Sequence, residues 1–173
     1  MKHFKLTNET IVNFLGVMLY RVELTIDCRW GKAGDKGGFV EKEKNISGDA
    51  WVSGDAQVYG NALVSGDAWV SGDAQVYGNA LVYGDALVYG NAQVYGNALV
   101  YGDAWKKSPL QIQGSKNFFS VSSKTHISIG CHSKTFEEWR DNYKAIGKEE
   151  GYTPEEIEEY GHYIDLAFKL YRK

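Results

Sequence analysis

At 173 residues and a formal net charge of −3, the chain is sized for one domain with small flanking pieces, and its charge balance gives no reason to expect nucleic acid as a default partner. The charge is unevenly spread: residues 1–45 carry eight basic and six acidic side chains, residues 45–105 six aspartates with no lysine or arginine, and residues 106–173 eleven basic and ten acidic. Cys28 and Cys131 are too few for a disulfide scaffold and read as free thiols. With no signal-peptide run in MKHFKLTNET and no apolar segment long enough to span a bilayer, the expected location is cytoplasmic, without membrane contact.

Taken in chain order, residues 1–37 read as an N-terminal β cap and loop. Met18, Tyr20, Val22, Leu24, Ile26, Cys28 and Trp30 alternate with Arg21, Glu23, Thr25, Asp27 and Arg29, the pattern of a half-buried strand over 18–30. GKAGDKGG (31–38) then reads as a loop.

From Gly48 the glycines recur every six residues to Gly102, alanine keeps step from Ala50 to Ala104, and valine from Val52 to Val100. The unit is G-[D/N]-A-x-V-[S/Y]. It is too short for a helical hairpin and matches the hexapeptide class of β-helix, one short strand and one corner per unit. Alanine and valine lie two apart and share the inner side of the strand; the residue between them faces outward. Glycine with Asp or Asn turns the corner. Val40 and Ile46 extend the valine column upstream. Leu110, Gln111, Ile112 and Gly114 resume the register after Lys106, which places the solenoid at 38–118.

The outward residues carry a second period of eighteen, so three hexads make one coil of a three-sided, parallel β-helix. Trp51, Trp69, Leu87 and Trp105 form one column, flanked by Ser53, Ser71 and Tyr89. Gln57, Gln75 and Gln93 form the next, flanked by Tyr59, Tyr77 and Tyr95. Leu63, Leu81 and Leu99 form the third, beside Ser65, Tyr83 and Tyr101. Asp49, Asp67, Asp85 and Asp103 stack at one corner as an acidic ladder, Asp55 and Asp73 with Asn91 at the next, and Asn61, Asn79 and Asn97 at the third.

Residues 119–173 change style. His126–Ile129 reads as a short strand. Thr135-Phe-Glu-Glu opens a helix through a capping box, with Phe136, Trp139, Tyr143 and Ile146 on one face and Gly147 as its stop. Thr153-Pro-Glu-Glu opens a second helix whose face is Ile157, Tyr160, Ile164, Phe168 and Tyr171. The expected architecture is a mainly β solenoid with an N-terminal β cap and a C-terminal two-helix cap.

GDKGGFVEKEKNISGDAWV (34–52), the hexads after it and IGCHSKTFEEWRDNY (129–143) resemble a family of phage and prophage hexapeptide-repeat proteins described as YdcK-like. The stretch Gly37–Gly38–Phe39–Val40–Glu41 and the Cys131–Trp139 exit are more specific than the repeat. The resemblance implies a phage-borne origin and brings no catalytic motif. Left-handed winding is implied by resemblance to the hexapeptide class.

Acyltransferases of this architecture use a histidine at a coil edge as general base. No histidine lies between Asn45 and Lys106; His132 is the only reasonable base and His126 a poorer one. Cys131 and His132, being adjacent, point opposite ways on an extended chain and do not share a metal, so no metal site and no cofactor are expected. The aspartates read first as turn formers, and without positive charge the coils are not expected to bind nucleic acid directly. Outward tryptophan, tyrosine and leucine make apolar faces of the kind that monomers avoid, so at least one is expected to meet another chain, either a second copy in a dimer or trimer or a host protein. The resulting expectation is a non-enzymatic inhibitor whose acidic, aromatic face blocks a host immune component such as a CRISPR effector. The alternatives are an oligomeric sponge for a nucleotide signal, an acyltransferase, and a structural scaffold.

Overall fold

A computed structural model describes residues 2–172. The hexads form two- and three-residue rungs, Trp51–Val52, Gln57–Val58, Leu63–Val64 and so on. Each rung pairs in parallel with the rung eighteen residues on: Trp51 with Trp69 and Trp69 with Leu87, Gln57 with Gln75 and Gln75 with Gln93, Leu63 with Leu81 and Leu81 with Leu99. Every coil therefore adds one rung to each of three parallel ladders. The corners are bonded as well: the Asp49 N–H donates to Gly66 O, Trp51 to Ala68 O and Ser53 to Val70 O, each at 2.9 Å. Ala50 to Ala98 and Val52 to Val100 are buried throughout. The upstream continuation of the register is also present, since Val40 pairs with Val58 and Ile46 bridges Val64.

The corner glycines hold φ between 63° and 74°, a left-handed conformation that costs an L-residue about 1–2 kcal/mol. Stacking adds a second demand at most of them. A Cβ on Gly72 would lie 3.0 Å from the Gly90 nitrogen, whereas a Cβ on Gly84, with φ 65°, would meet nothing within 4 Å.

Two expectations are corrected at the end of the solenoid. Trp105 does not continue the outward tryptophan column: Leu87 pairs with Ala104 and Val88 with Trp105, seventeen residues on instead of eighteen. A one-residue slip exchanges the faces of a strand, so Ala104 is exposed and Trp105 takes the inward position at 6 % exposure. The renewed register at 110–114 is likewise not followed. Gln111–Gln113 pairs antiparallel with Phe118–Val121, in a sheet completed by His126–Ile129 and His132–Thr135. The chain divides into two compact units after Pro109.

In the first unit β1 (Phe4–Val12), β2 (Met18–Leu24) and β3 (Lys36–Val40) form an antiparallel sheet, and β3 then lies parallel on the Gln57–Val58 rung. The expected strand over 18–30 stops at Leu24, and its alternation changes phase. Leu19, Val22 and Leu24 are buried while Met18 is half exposed. Register shifts between Leu6 and Thr10, and between Arg21 and Glu23, let the strand switch faces. Gly38 explains part of the Gly-Gly motif: a Cβ there would sit 2.6 Å from Ala56 O, so only glycine lets β3 lie flush on the coil. Leu19, Phe39 and Tyr59 form a buried cluster against which Ile11, Val17 and Tyr77 pack. Burial, reinforced by the neighbouring Tyr77, pushes the Tyr59 phenol from its ordinary value of 10.0 up to about 12.

In the second unit α1 (Phe136–Glu149) and α2 (Pro154–Tyr171) begin at the expected capping boxes, Thr135 with Glu138 and Thr153 with Glu156. Gly147 does not end α1. It is buried inside the helix, where a Cβ would meet Ile157 of α2, and the positive-φ glycine comes later, at Gly151. Phe136 and Trp139 pack inward with Phe119 and Ile127 among the buried side chains, and the Trp139 indole N–H donates to Ile127 O at 2.8 Å.

Three outcomes follow for urea unfolding. Gly84→Ala should cost about 1 kcal/mol from backbone strain alone, and Gly72→Ala about 3 kcal/mol because strain and the contact with Gly90 add; equal costs would contradict the stacked corner. Trp105→Ala should cost about 3–5 kcal/mol, as for a buried aromatic, against roughly 0.5 kcal/mol for an outward one. Because the Tyr59 pKa is raised on folding, its stabilisation is complete below about pH 10 and is lost as pH rises towards 12. Tyr59→Phe should therefore flatten the fall of the urea midpoint between those pH values.

Candidate functional site: the acidic and aromatic columns

The tryptophan column meets three different environments along the stack. Trp51 is only 3 % exposed. The N-terminal segment covers it: the His3 ring lies 6.1 Å away, anchored by a 3.0 Å bond between Nε2 and Ala50 O, and the backbone of Gly37 lies against its indole. Trp69 is 38 % exposed. Its indole N–H donates to Ser53 Oγ at 2.7 Å, and Trp30 approaches its ring at 5.7 Å. Leu87 is half-buried, and beside it Tyr89 is exposed. With Trp105 turned inside, the expected continuous Trp51–Trp69–Leu87–Trp105 docking face is not there. Its upper part is the seat of the protein's own N-terminal segment, and only Leu87 and Tyr89, with the edge of Trp69, remain open.

That segment docks through arginine and an aromatic ring. The Arg29 guanidinium lies 4.2 Å from the Trp30 ring, makes a 2.9 Å ion pair with Asp67 and donates to Asp67 O at 3.1 Å. The Trp30 indole N–H donates to Asp49 O at 2.6 Å. On the neighbouring corner Arg21 approaches Asp55 at 3.9 Å while holding Glu9 at 2.6 Å and lying over the Phe39 ring. The corner aspartates are thus cation acceptors as well as turn formers. Asp73 and Asp85 are exposed one coil further on, and Asp103 ends the ladder half-buried.

The third column stays open. Leu63 and Leu99 are half-buried, Leu81 and Tyr83 are exposed, and Tyr101 stacks on Tyr83 with ring centroids 5.4 Å apart. Burial, then the proximity of Tyr101, holds the Tyr83 phenol above its ordinary range. The glutamine column is lined by a second stack, Tyr59 on Tyr77 at 5.1 Å and Tyr77 on Tyr95 at 5.6 Å. Asn61, Asn79 and Asn97 join into a side-chain ladder along the third corner.

The histidines considered for catalysis both lie in the second unit. His132 Nε2 is 2.9 Å from Glu150 Oε1, and His126 Nδ1 is 2.8 Å from Thr125 Oγ1. Cys28 and Cys131 are both free thiols. Among the described residues no group of three or more His, Cys, Asp or Glu is placed to hold a metal ion, and no helix is long and apolar enough to cross a membrane.

Sequence reasoning missed two features. Arg29 and Trp30 belong to the docked loop that covers the tryptophan column, not to a strand; their signal was an arginine–aromatic pair in a segment rich in glycine and aspartate. The second is the tip of the β1–β2 hairpin, where Val12, Phe14, Leu15 and Met18 are 65 %, 74 %, 59 % and 50 % exposed. Its signal was the charge-free run between Glu9 and Arg21, punctuated by Asn13 and Gly16.

Comparison with known proteins bears on the coils. The model of the YdcK beta solenoid repeat matches residues 56–72, 74–90 and 92–106, three successive stretches each about one eighteen-residue coil long. No curated protein matches the chain. The matches fall on the rungs whose ladders are described above, so these coils match the YdcK-type β-solenoid repeat.

Proposed function

We propose that the protein acts by binding, without turnover, and that its partner presents arginine or lysine with aromatic side chains to the acidic face between the two aspartate corners. The observation that carries this reading is internal. The chain's own Arg29–Trp30 pair sits on Asp67, Asp49 and Trp69, and the eighteen-residue register repeats those positions as Asp85, Asp67 and Leu87, with Tyr89 beside them. The coils carry six aspartates and no cationic side chain between residues 45 and 105, so their field attracts a basic surface and repels nucleic acid. A rigid solenoid loses little conformational freedom on docking.

In its specific form this is a counter-defence role in the cytoplasm of a host cell. The acidic face would occupy the basic cleft in which an immune effector, for example a CRISPR effector, holds nucleic acid. The chain's resemblance to phage and prophage hexapeptide-repeat proteins supports that form.

The test is competition. A purified effector should lose nucleic-acid binding as the protein is added, and block should weaken as salt is raised from about 0.05 to 0.2 M. The Asp73→Asn/Asp85→Asn double variant should need about tenfold more protein for the same block, equivalent to about 1.4 kcal/mol. Both residues are exposed, so its unfolding midpoint should stay unchanged. Equal inhibition by the double variant and the wild type would contradict the acidic face as the docking surface.

A further inference from the structure

We infer that the β1–β2 hairpin tip, together with the tyrosine column beneath it, is a self-association surface on which a second copy of this chain docks about a two-fold axis. The inference is independent of the partner proposed above and uses a different side of the solenoid.

The tip is built, not loose. Asn13 is buried, and its Oδ1 accepts hydrogen bonds from the backbone N–H groups of Leu15 at 3.0 Å and Val17 at 2.9 Å. The Asn13 N–H donates to Val17 O, and the Gly16 N–H to Asn13 O, each at 3.0 Å, with Gly16 at φ 78°. This closed loop holds Phe14 and Leu15 in solvent, with Val12 and Met18 as its base. With residue areas of roughly 150–250 Å², the four side chains expose on the order of 500 Å² of mostly apolar surface. That reaches the upper range of the largest patch on a typical monomer.

The adjoining surface shows what fits there. Ile11 and Val17, from the same hairpin, pack on the Leu19–Phe39–Tyr59 cluster, and Tyr77 packs on that cluster too. Tyr95 continues that stack one coil further and is 36 % exposed. Seating the partner's Phe14 and Leu15 on Tyr77 and Tyr95, with the reciprocal contact made by the first copy, gives an isologous interface. Tip and column together offer roughly 700 Å² per copy, close to the roughly 800 Å² of a standard interface.

Charge selects the second copy over other occupants. The body of the protein is acidic, so two copies repel wherever aspartate corners face each other. The glutamine, tyrosine and third-corner asparagine columns are neutral, and the tip has no charged residue between Glu9 and Arg21. This is the side on which two such bodies can approach. A bilayer surface would instead favour cations beside the apolar tip; the nearest in sequence, Arg21, is tied to Glu9 at 2.6 Å.

Sedimentation velocity of the full chain at about 100 µM should give a species of twice the 19.3 kDa chain mass. Phe14→Ser/Leu15→Ser should raise the dimer dissociation constant at least tenfold without changing the circular dichroism spectrum, because both side chains lie in solvent. Tyr95→Arg should do the same from the other half of the contact. A wild type that sediments as a single chain overturns the proposal, as does a dimer that persists in the variants. A single chain that pellets with phosphatidylcholine vesicles, and loses this in the Phe14→Ser/Leu15→Ser variant, overturns it in favour of a lipid-inserting tip.

Discussion

The eighteen-residue register governs this structure. Every second backbone N–H from Ser47 to Leu81 finds a carbonyl on the next coil, as Asp49 does at Gly66 and Trp51 at Ala68. The corners share in this bonding, as at Asp49 and Asp55. That arrangement allows one side-chain type per position: glycine where φ must be positive and where the stacked chain comes close, alanine and valine where the interior is narrow. The repeat is therefore the residue list that satisfies a translation-symmetric hydrogen-bond ladder with a thin core.

The same symmetry explains how one column can serve several purposes. Positions eighteen apart are equivalent in backbone, and neighbouring segments decide their fate. Trp51 is sealed by the N-terminal strands, Trp69 is half covered by Trp30, and Leu87 lies beside exposed Tyr89. The aspartates follow suit: Asp67 holds Arg29, while Asp73 and Asp85 are exposed to solvent. The solenoid thus carries, in its own N-terminal contact, a worked instance of the chemistry proposed for its partner. Meanwhile the glutamine and tyrosine side stays neutral and carries the apolar hairpin tip.

Legibility in the sequence followed the strength of the period. Gly48 through Val100 could be placed residue by residue, because glycine, alanine and valine each repeat without exception and parity sets inside from outside. Capping boxes placed the starts of both helices, because Thr135 with Glu138 and Thr153 with Glu156 act locally. What failed was non-local. Trp105 keeps its place in the written pattern, yet the ladder slips by one and brings it opposite inward Val88. Gln111 and Ile112 keep the pattern too, but pair antiparallel with Phe118–Val121. Gly147 is indistinguishable by composition from a helix stop; the approach of Ile157 gives it a different purpose. The exposed hairpin tip was overlooked because a run of Val, Phe, Leu and Met reads as interior until its surroundings are known.

Continuous-wave electron paramagnetic resonance of paired nitroxide labels, in a background with Cys28 and Cys131 replaced by serine, tests the register most directly. Labels at Gln75→Cys and Gln93→Cys, eighteen residues apart on neighbouring rungs about 5 Å apart, should give a spectrum collapsed by spin exchange. Labels at Gln75→Cys and Leu87→Cys, only twelve residues apart but on different ladders, should couple far more weakly. Equal broadening in the two pairs, or stronger coupling in the twelve-residue pair, would contradict the account.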